Sequence, residues 1–515
     1  AERLAADTPR VRALLAPRPP RPPRFRSPAH EPGRRGDAHR PRPPRVPPSG
    51  RATRANLRRR STPIARGEPR NMGDDGTPNA GTQTHYLNKE EEFRVEVKIG
   101  TSVKVTLTDG TAEIFGAELP KGTPVTLPGG KHAVFSWHGA TIDVLGATEL
   151  EYVARDTPMT QYLNLDGVLE ERRKAAQLAG IAGDAGFASD GPRVALVGPT
   201  DVGKSSIAKI LTNYAVRKRW APLFVDLDLG QGGITCPATI GATPVDAPID
   251  AEEGAPLEMP LVYFMGDTSP GNNPDLYRYL VERMATMLDA RHASNPAARA
   301  AGVVINTMGW VEGQGYKLLL HALDALKVDN VVVVGQERLH SELTRDFRGK
   351  RVGGDCLAEG TPVKVWKLNK SGGVVERSPE FRRRSRDQKI REYFYGSPGA
   401  ELQPHSQTLP FGQVSIFKVG GGPRAPATAL PIGQQSSSDP LRVTTVAPSM
   451  SLLNSVLAVS HGKSNADLLS SNVAGFIFVT EVDMRNGRFT FVSPSAGELP
   501  SRNLLAGSLK WIEMP

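Results

Sequence analysis

The stretch RVALVGPTDVGKSSIAKI, residues 193–210, decides the reading of the fold. An apolar run ends at Gly198, and five positions on Gly203 is followed by Lys204, Ser205 and a helical pattern. Gly198 to Ser205 matches G-x-x-x-x-G-K-[ST]. In that spacing the glycines let backbone N–H groups wrap a phosphate, the lysine sets a charge on the β/γ oxygens, and the hydroxyl reaches Mg²⁺. A glycine-rich turn with an incidental lysine would not need the strand before it and the helix after it.

Working outward, PLFVDLDLGQ (222–231) reads as the next strand, with Asp226 and Asp228 one pleat apart on a shared face near its end. A carboxylate there can join a Mg²⁺ shell or accept a proton from an attacking hydroxyl. Asp228, nearer the strand end with Gly230-Gln231 just beyond it, is the favoured one, and Asp226 reads equally well as a supporting carboxylate. PLVYFMGD (260–267), AGVVINTMG (301–309) and NVVVVGQ (330–336) follow, each beside a helical stretch. Near-continuous apolar strands alternating with helices imply a parallel α/β sheet covered on both faces. No guanine-reading N/T-K-x-D element follows, since Asn369-Lys370 leads into Ser-Gly, so ATP is the expected nucleotide.

Upstream, FRVEVKIG, SVKVTLTDG, TPVTLPGG, HAVFSWHG and TIDVLG alternate with period two between Gly-containing turns, an all-β module over about 86–153. Residues 160–178 read as a helical connector and 180–191 as a hinge. After Gly396 the chain turns β-rich again, with a loop-like insert around 420–440. The expected layout is a leader (1–75), an N-terminal β domain (76–178), a P-loop domain (179–396) and a β-rich C-terminal domain (397–515).

Charge is unevenly spread. Residues 1–71 hold 19 Arg, no Lys and 5 acidic residues, a balance of +14, together with 15 of the 44 prolines. The whole chain carries +10, so residues 72–515 carry −4. Such a leader cannot bury a core and reads as disordered. It is a solvated leader ahead of Met72, a transit peptide, or a basic nuclear-import or RNA-touching segment; composition does not choose among them. Two cysteines, Cys236 and Cys356, exclude a disulfide framework and fit a reducing compartment. No apolar run approaches the roughly 20 residues of a membrane span, and no secretory h-region is present.

Further along, GVVERSPEFRRRSRDQKIREYFYG (373–396) gathers Arg377, Arg382, Arg383, Arg384, Arg386 and Arg391 on a helical pattern. That density suits a mobile lid over a transferred phosphoryl group, or a solvated basic helix. TSPGNNP (268–274) reads as a rigid turn able to clamp a substrate backbone. NTMGW (306–310) sets an indole past a strand end, where ligands of open α/β sheets sit and a nucleobase can stack.

These motifs together, GPTDVGKSS, VDLDLGQG, TSPGNNPDLY, INTMGWVEGQGY, SGGVVERS and IREYFYG, with AEIFG and AVFSWHG upstream, resemble the eukaryotic polynucleotide 5′-hydroxyl kinase family of pre-mRNA 3′-end cleavage and tRNA splicing. The resemblance runs from about Glu90 to the C-terminus. It implies three domains and transfer of the γ-phosphate of ATP to an RNA 5′-hydroxyl, with ATP and Mg²⁺ as cofactors and a nuclear location. It also implies subunits of the cleavage complex, and of the tRNA-splicing endonuclease, as partners. Carried over by residue, Asp201, Val202, Gly203, Lys204, Ser205 and Ser206 match the nucleotide loop opened by Gly198, and Ser205 and Asp228 the metal positions. Asp228 matches the general base, Thr268 the clasp, Trp310 the stacking indole, and Arg377 and Arg382 the lid arginines. Glu92 and Lys131 match adenosine contacts of the N-terminal domain. The segment 346–373 is longer than the family pattern and reads as a surface loop. An ATP-bound, catalytically weak scaffold and a partner-driven switch ATPase are the alternative functions.

Overall fold

In a computed structural model, residues 81–183, 190–249, 254, 260–352, 360–397, 400–420 and 439–512 are described, all within the compact unit Gly73–Pro515. The Arg/Pro leader, residues 184–189 of the expected hinge, Cys356 and residues 421–438 of the insert lie outside the described residues.

Seven strands form the first sheet: β1 (Thr82–Leu87), β2 (Glu91–Gly110), β3 (Glu113–Ile114), β4 (Ala117–Glu118), β5 (Pro124–Ser136), β6 (Ala140–Leu145) and β7 (Leu150–Ala154). Period-two alternation builds it: Phe93, Val95, Val97, Val103, Val105 and Leu107 of β2 share one core with Leu127, Val134 and Ile142. FRVEVKIG and SVKVTLTDG, read as separate strands, form the single strand β2, and Pro128-Gly129-Gly130, read as a turn, lies inside β5. The register shifts between Val97 and Ser102, where a Cβ at Gly129 would stand 2.6 Å from the Lys98 carbonyl. The glycine is there for close backbone approach at a bulge. On the other face of β2, Glu92 and Arg94 are also buried, because the central domain covers them.

That domain comprises α1 (Met159–Ile181), β8 (Arg193–Val197), α2 (Lys204–Arg217), β9 (Leu223–Asp226), β10 (Thr239–Pro244), β11 (Leu261–Phe264), α3 (Pro274–Ser294), α4 (Pro296–Ala301), β12 (Val303–Asn306), α5 (Gly313–Ala325), β13 (Asn330–Val334), α6 (Glu337–Asp346), a ribbon of β14 (Arg351–Val352) and β15 (Thr361–Pro362), β16 (Lys364–Leu368) and α7 (Pro379–Tyr395). The sheet order is β11-β10-β9-β12-β8-β13-β16, with β8 flanked by β12 and β13. The five strands from β9 to β16 in that order are parallel. β10 is antiparallel to both neighbours, correcting the wholly parallel expectation at one edge; a loop without a crossover helix joins β9 to β10, which an antiparallel return permits.

Helices cover both faces. Leu276, Leu280, Leu318, Leu323 and Leu339 of α3, α5 and α6 pack on one side, and Tyr162, Leu165, Leu169, Ile207 and Leu211 of α1 and α2 on the other. α1, read as a connector, is thus part of this layer, and the boundary expected at 178 falls inside it. The segment 346–373, read as a surface loop, supplies the edge strand β16, whose Trp366 indole donates to Asn330 Oδ1 at 2.9 Å.

The chain continues through a short ribbon, β17 (Gly396–Ser397) and β18 (Ala400–Glu401), into a last sheet of β19 (His405–Pro410), β20 (Ser415–Val419), β21 (Val443–Thr445), β22 (Val456–Ser460), β23 (Val473–Asp483), β24 (Arg488–Ser493) and β25 (Asn503–Leu505), with α8 (Asn465–Ser470) before β23. Alternation serves two cores. Leu457, Ile477, Phe489 and Phe491 close one face, while Ala458, Phe476 and Phe478 on the other pack against Phe264 of β11 and Ile390 and Phe394 of α7.

Candidate active site

The loop between β8 and α2 gives the site its floor. Gly203, at φ +92° ahead of α2, and Asp201, at φ +56°, are left-handed, a backbone turn that converges N–H groups on one point. Lys204, the first residue of α2, is buried, and its ammonium donates to the Gly198 and Pro199 carbonyls at 2.9 and 2.6 Å. Burial pushes its pKa down to about 8, against the pull of Asp228, Asp201 and Asp226. Ser205 Oγ donates to Asn306 Oδ1 at 3.4 Å, and Asn306 Nδ2 donates to Asp226 Oδ1 at 3.0 Å.

β9 ends at Asp226, so the two aspartates do not share one strand face as expected. The hydrogen-bonding edge of the sheet has run out, and the backbone turns to satisfy itself on carboxylates. Asp226 is buried and accepts from the Asp228 and Gly233 N–H groups at 3.0 and 2.7 Å. Burial, with the Asp228 charge second, pushes its pKa up to about 6. Asp228 lies in the loop beyond, accepts from Gly230 and Gln231 N–H groups through Oδ1 at 2.9 and 3.1 Å, and lines the cavity. Asp226 therefore shapes the loop that presents Asp228.

The roof is the stretch from Ser371 into α7. Asp201 accepts the Arg377 N–H at 3.0 Å and the Arg382 guanidinium at 2.6 Å. Burial would raise its carboxyl, but those two donors outweigh it and hold the pKa below the usual range. α7 begins at Pro379, capped by Ser378, so Arg377 precedes the helix instead of sitting on it. Its last turns are not free: Ile390 and Phe394 are core residues, and Phe394 stacks on Trp511 at 6.2 Å. The mobile arginine helix of the sequence reading is anchored at one end, leaving Arg377, Arg382 and Arg386 over the cavity.

The remaining walls hold the other expected residues. Thr268 precedes a turn pinned by Asp267, which accepts from Ser269 N–H and from the Asn272 and Ser508 side chains. Trp310 is 38% exposed, and a Cβ at Gly271 of that turn would stand 3.3 Å from its indole; the glycine turn backs the ring. Glu92 and Lys131 lie across the N-terminal sheet. Glu92 accepts from Arg94 and Thr157, both at 2.8 Å, and Lys131 pairs with Glu96 at 2.7 Å. Of the residues carried over by the resemblance all but Gly198 line one cavity of about 420 Å³, which Asp226, Arg383, Arg384 and Arg391 do not reach; the Gly198 carbonyl holds Lys204.

Sequence reasoning missed Arg94, Glu96, His132, Tyr152, Tyr162 and Gln231 of the same cavity, whereas Arg386, grouped with the lid arginines, lines it one helical turn from Arg382. Period two from Glu92 places Arg94 and Glu96 on the same face, though it does not show that this face is covered. Gln231, whose side chain donates to the Arg382 carbonyl at 3.2 Å, carried no signal. Among the described residues no cluster of three His, Cys, Asp or Glu could cage a metal. Any Mg²⁺ here would rest on Ser205, a carboxylate, water and phosphate oxygens, as such ions commonly do.

Three family models match the chain: the N-terminal beta-sandwich domain of polyadenylation factor over residues 86–176, the P-loop of mRNA cleavage and polyadenylation factor CLP1 over 198–396, and pre-mRNA cleavage complex II protein Clp1 over 402–513. The Arabidopsis thaliana protein CLP1 homolog is 48% identical over 83% of this chain and 94% of its own. The human polyribonucleotide 5′-hydroxyl-kinase Clp1 is 42% identical over 86% of this chain and all of its own. A solved Clp1p–Pcf11p complex shares the fold, with a TM-score of 0.71 at 22% identity over 85% of this chain and all of that one. With three consecutive domain matches and relatives of this identity along nearly their full length, the chain belongs to the Clp1 family.

Proposed function

We propose that this chain is an ATP-dependent polyribonucleotide 5′-hydroxyl kinase of pre-mRNA 3′-end processing. The observation that carries the reading is the convergence of Lys204, Asp228, Thr268, Trp310, Arg377 and Arg382, drawn from separate elements, on one cavity. The printed activity of the human relative supports it. A buried lysine on a loop with two left-handed residues, beside a cavity of this size, fits a nucleoside triphosphate. Ser205 and Asp228 would hold Mg²⁺, which when bound offsets phosphate charge.

In this mechanism the Trp310 face stacks the terminal base and the Thr268 turn orients the sugar-phosphate, so that the 5′-hydroxyl meets Asp228. Asp228 accepts its proton as the oxygen attacks the γ-phosphorus and the bond from that phosphorus to the β,γ-bridging oxygen breaks, leaving ADP. Lys204, Arg377 and Arg382 stabilise the charge of the passing phosphoryl group. Closing α7 over the cavity keeps water from competing for it. Work in a pre-mRNA cleavage complex, with a Pcf11-like subunit as partner, is part of the proposal and is supported by the names of the relatives; the nuclear location and the tRNA-splicing role rest on the sequence resemblance.

Incubation with γ-labelled ATP and a 5′-hydroxyl oligoribonucleotide tests the reading. Label appears on the RNA with the wild type and not with Lys204→Ala; transfer by neither, or equally by both, overturns it.

A further inference from the structure

We propose that Arg94 is a positioning residue that keys the root of the α7 lid to the nucleobase end of the cavity, an inference that rests on the kinase reading. Arg94 lies on the covered face of β2, two residues from Glu92, and only 6% of it is exposed. Its guanidinium donates to Glu92 Oε1 at 2.8 Å and to the Asp156 carbonyl at 2.8 Å, pairs with the Asp156 carboxylate at 3.1 Å and lies 5.7 Å from the Tyr152 ring centre. That many partners fix the side chain as a rigid strut.

The strut supports the polypeptide that leads into the lid. Leaving β16, the chain is tied to α1 by Asn369 N–H donating to Gln161 Oε1 at 3.0 Å. It then makes a tight turn with Val374 N–H on the Ser371 carbonyl at 3.1 Å. A Cβ at Gly373 would stand 2.7 Å from Arg94 Nε and 2.8 Å from its Cδ. Glycine is required because the turn rests on the guanidinium itself, which cannot retreat. On the far side of the turn, a Cβ at Gly203 of the phosphate loop would meet Val374 Cγ2 at 3.1 Å. The lid root is therefore wedged between Arg94 of the N-terminal domain and the phosphate loop, three residues before Arg377. A shift of Glu92 on a bound base passes through Arg94 into the turn that aims the lid arginines.

Steady-state kinetics on the full chain, with γ-labelled ATP and a 5′-hydroxyl oligoribonucleotide, separate this role from support of Glu92 alone. Glu92→Gln is expected to raise KM for ATP with little change in kcat. Arg94→Ala is expected to lower kcat by about tenfold or more, alone and in the Glu92→Gln background. Gly373→Ala keeps the Glu92–Arg94 pair, so it lowers kcat at unchanged KM, and its effect shrinks when Arg94 is alanine, a coupling between touching residues. If Arg94→Ala does not fold, as a lowered thermal midpoint would reveal, Gly373→Ala decides by itself. A kcat for Arg94→Ala equal to that of Glu92→Gln, or a wild-type kcat for Gly373→Ala, overturns the proposal. A second readout is independent of catalysis: trypsin should cut after Arg377 and Arg382 faster in Arg94→Ala than in the wild type, and equal rates overturn the proposal. An inactive wild type with trypsin rates that differ as stated would overturn the kinase reading and leave the strut standing.

Discussion

In the proposed mechanism the chemistry falls on two single side chains, Lys204 and Asp228. Asp228→Asn keeps the shape of the loop but removes the proton acceptor, so kcat should fall by about 10²–10⁴ while ATP still binds; a filter-binding measurement beside the transfer assay checks both halves. Lys204 loses its charge near pH 8 in the free enzyme. Because its folded pKa is depressed, the charged form that meets phosphate is present below about pH 8 and is lost above it. The pH profile of kcat/KM for ATP should therefore fall through that region, whereas kcat, set by the ATP-bound enzyme, should not. His132, held to about pKa 4 by burial, adds nothing to that limb. The phosphate loop was legible in the sequence because its residues are contiguous and its spacing follows from backbone geometry. Arg94 was not, because period two places it on the face of Glu92 but cannot show that this face is buried beneath the central domain.

At the level of elements, the lid is a helix with one fixed and one working end. Phe394 and Ile390 hold its last turns in the core shared with Phe264, Phe478 and Trp511. Phe394→Ala should cost about 3–5 kcal/mol of stability, read as a lower unfolding midpoint, and should loosen the lid as well. Asp201 clamps the other end through Arg377 and Arg382, and Asp201→Asn should speed tryptic cleavage in the 377–386 stretch several-fold without nucleotide. Element reading from the sequence succeeded where pattern and length agreed, as at β8 and α2. It failed at Pro128-Gly129-Gly130, whose turn-forming residues serve a bulge, and at β16, where a short VKVWKL run inside an apparent insertion pairs with β13. Neither pairing is local, so neither was visible in the residues alone.

Taken whole, the molecule builds its cavity from separated parts of the chain, with the N-terminal sheet, the phosphate loop, the Thr268 turn and the lid each contributing a wall. Residues 1–71 carry +14, more than the whole net charge of +10, and residues 72–515 carry −4. RNA affinity is thus expected from local contacts around Trp310 and the lid, with a shallow salt dependence reflecting few phosphate contacts. A chain beginning at Met72 should keep its transfer activity, as assayed beside the full length. The most direct test of the central claim is transfer of the γ-phosphoryl group from labelled ATP to a 5′-hydroxyl oligoribonucleotide by wild type and Asp228→Asn at equal ATP occupancy. Labelled RNA is expected from the wild type, with a loss of at least about a hundredfold in the variant; transfer at equal rates, or none from the wild type, would contradict the kinase reading.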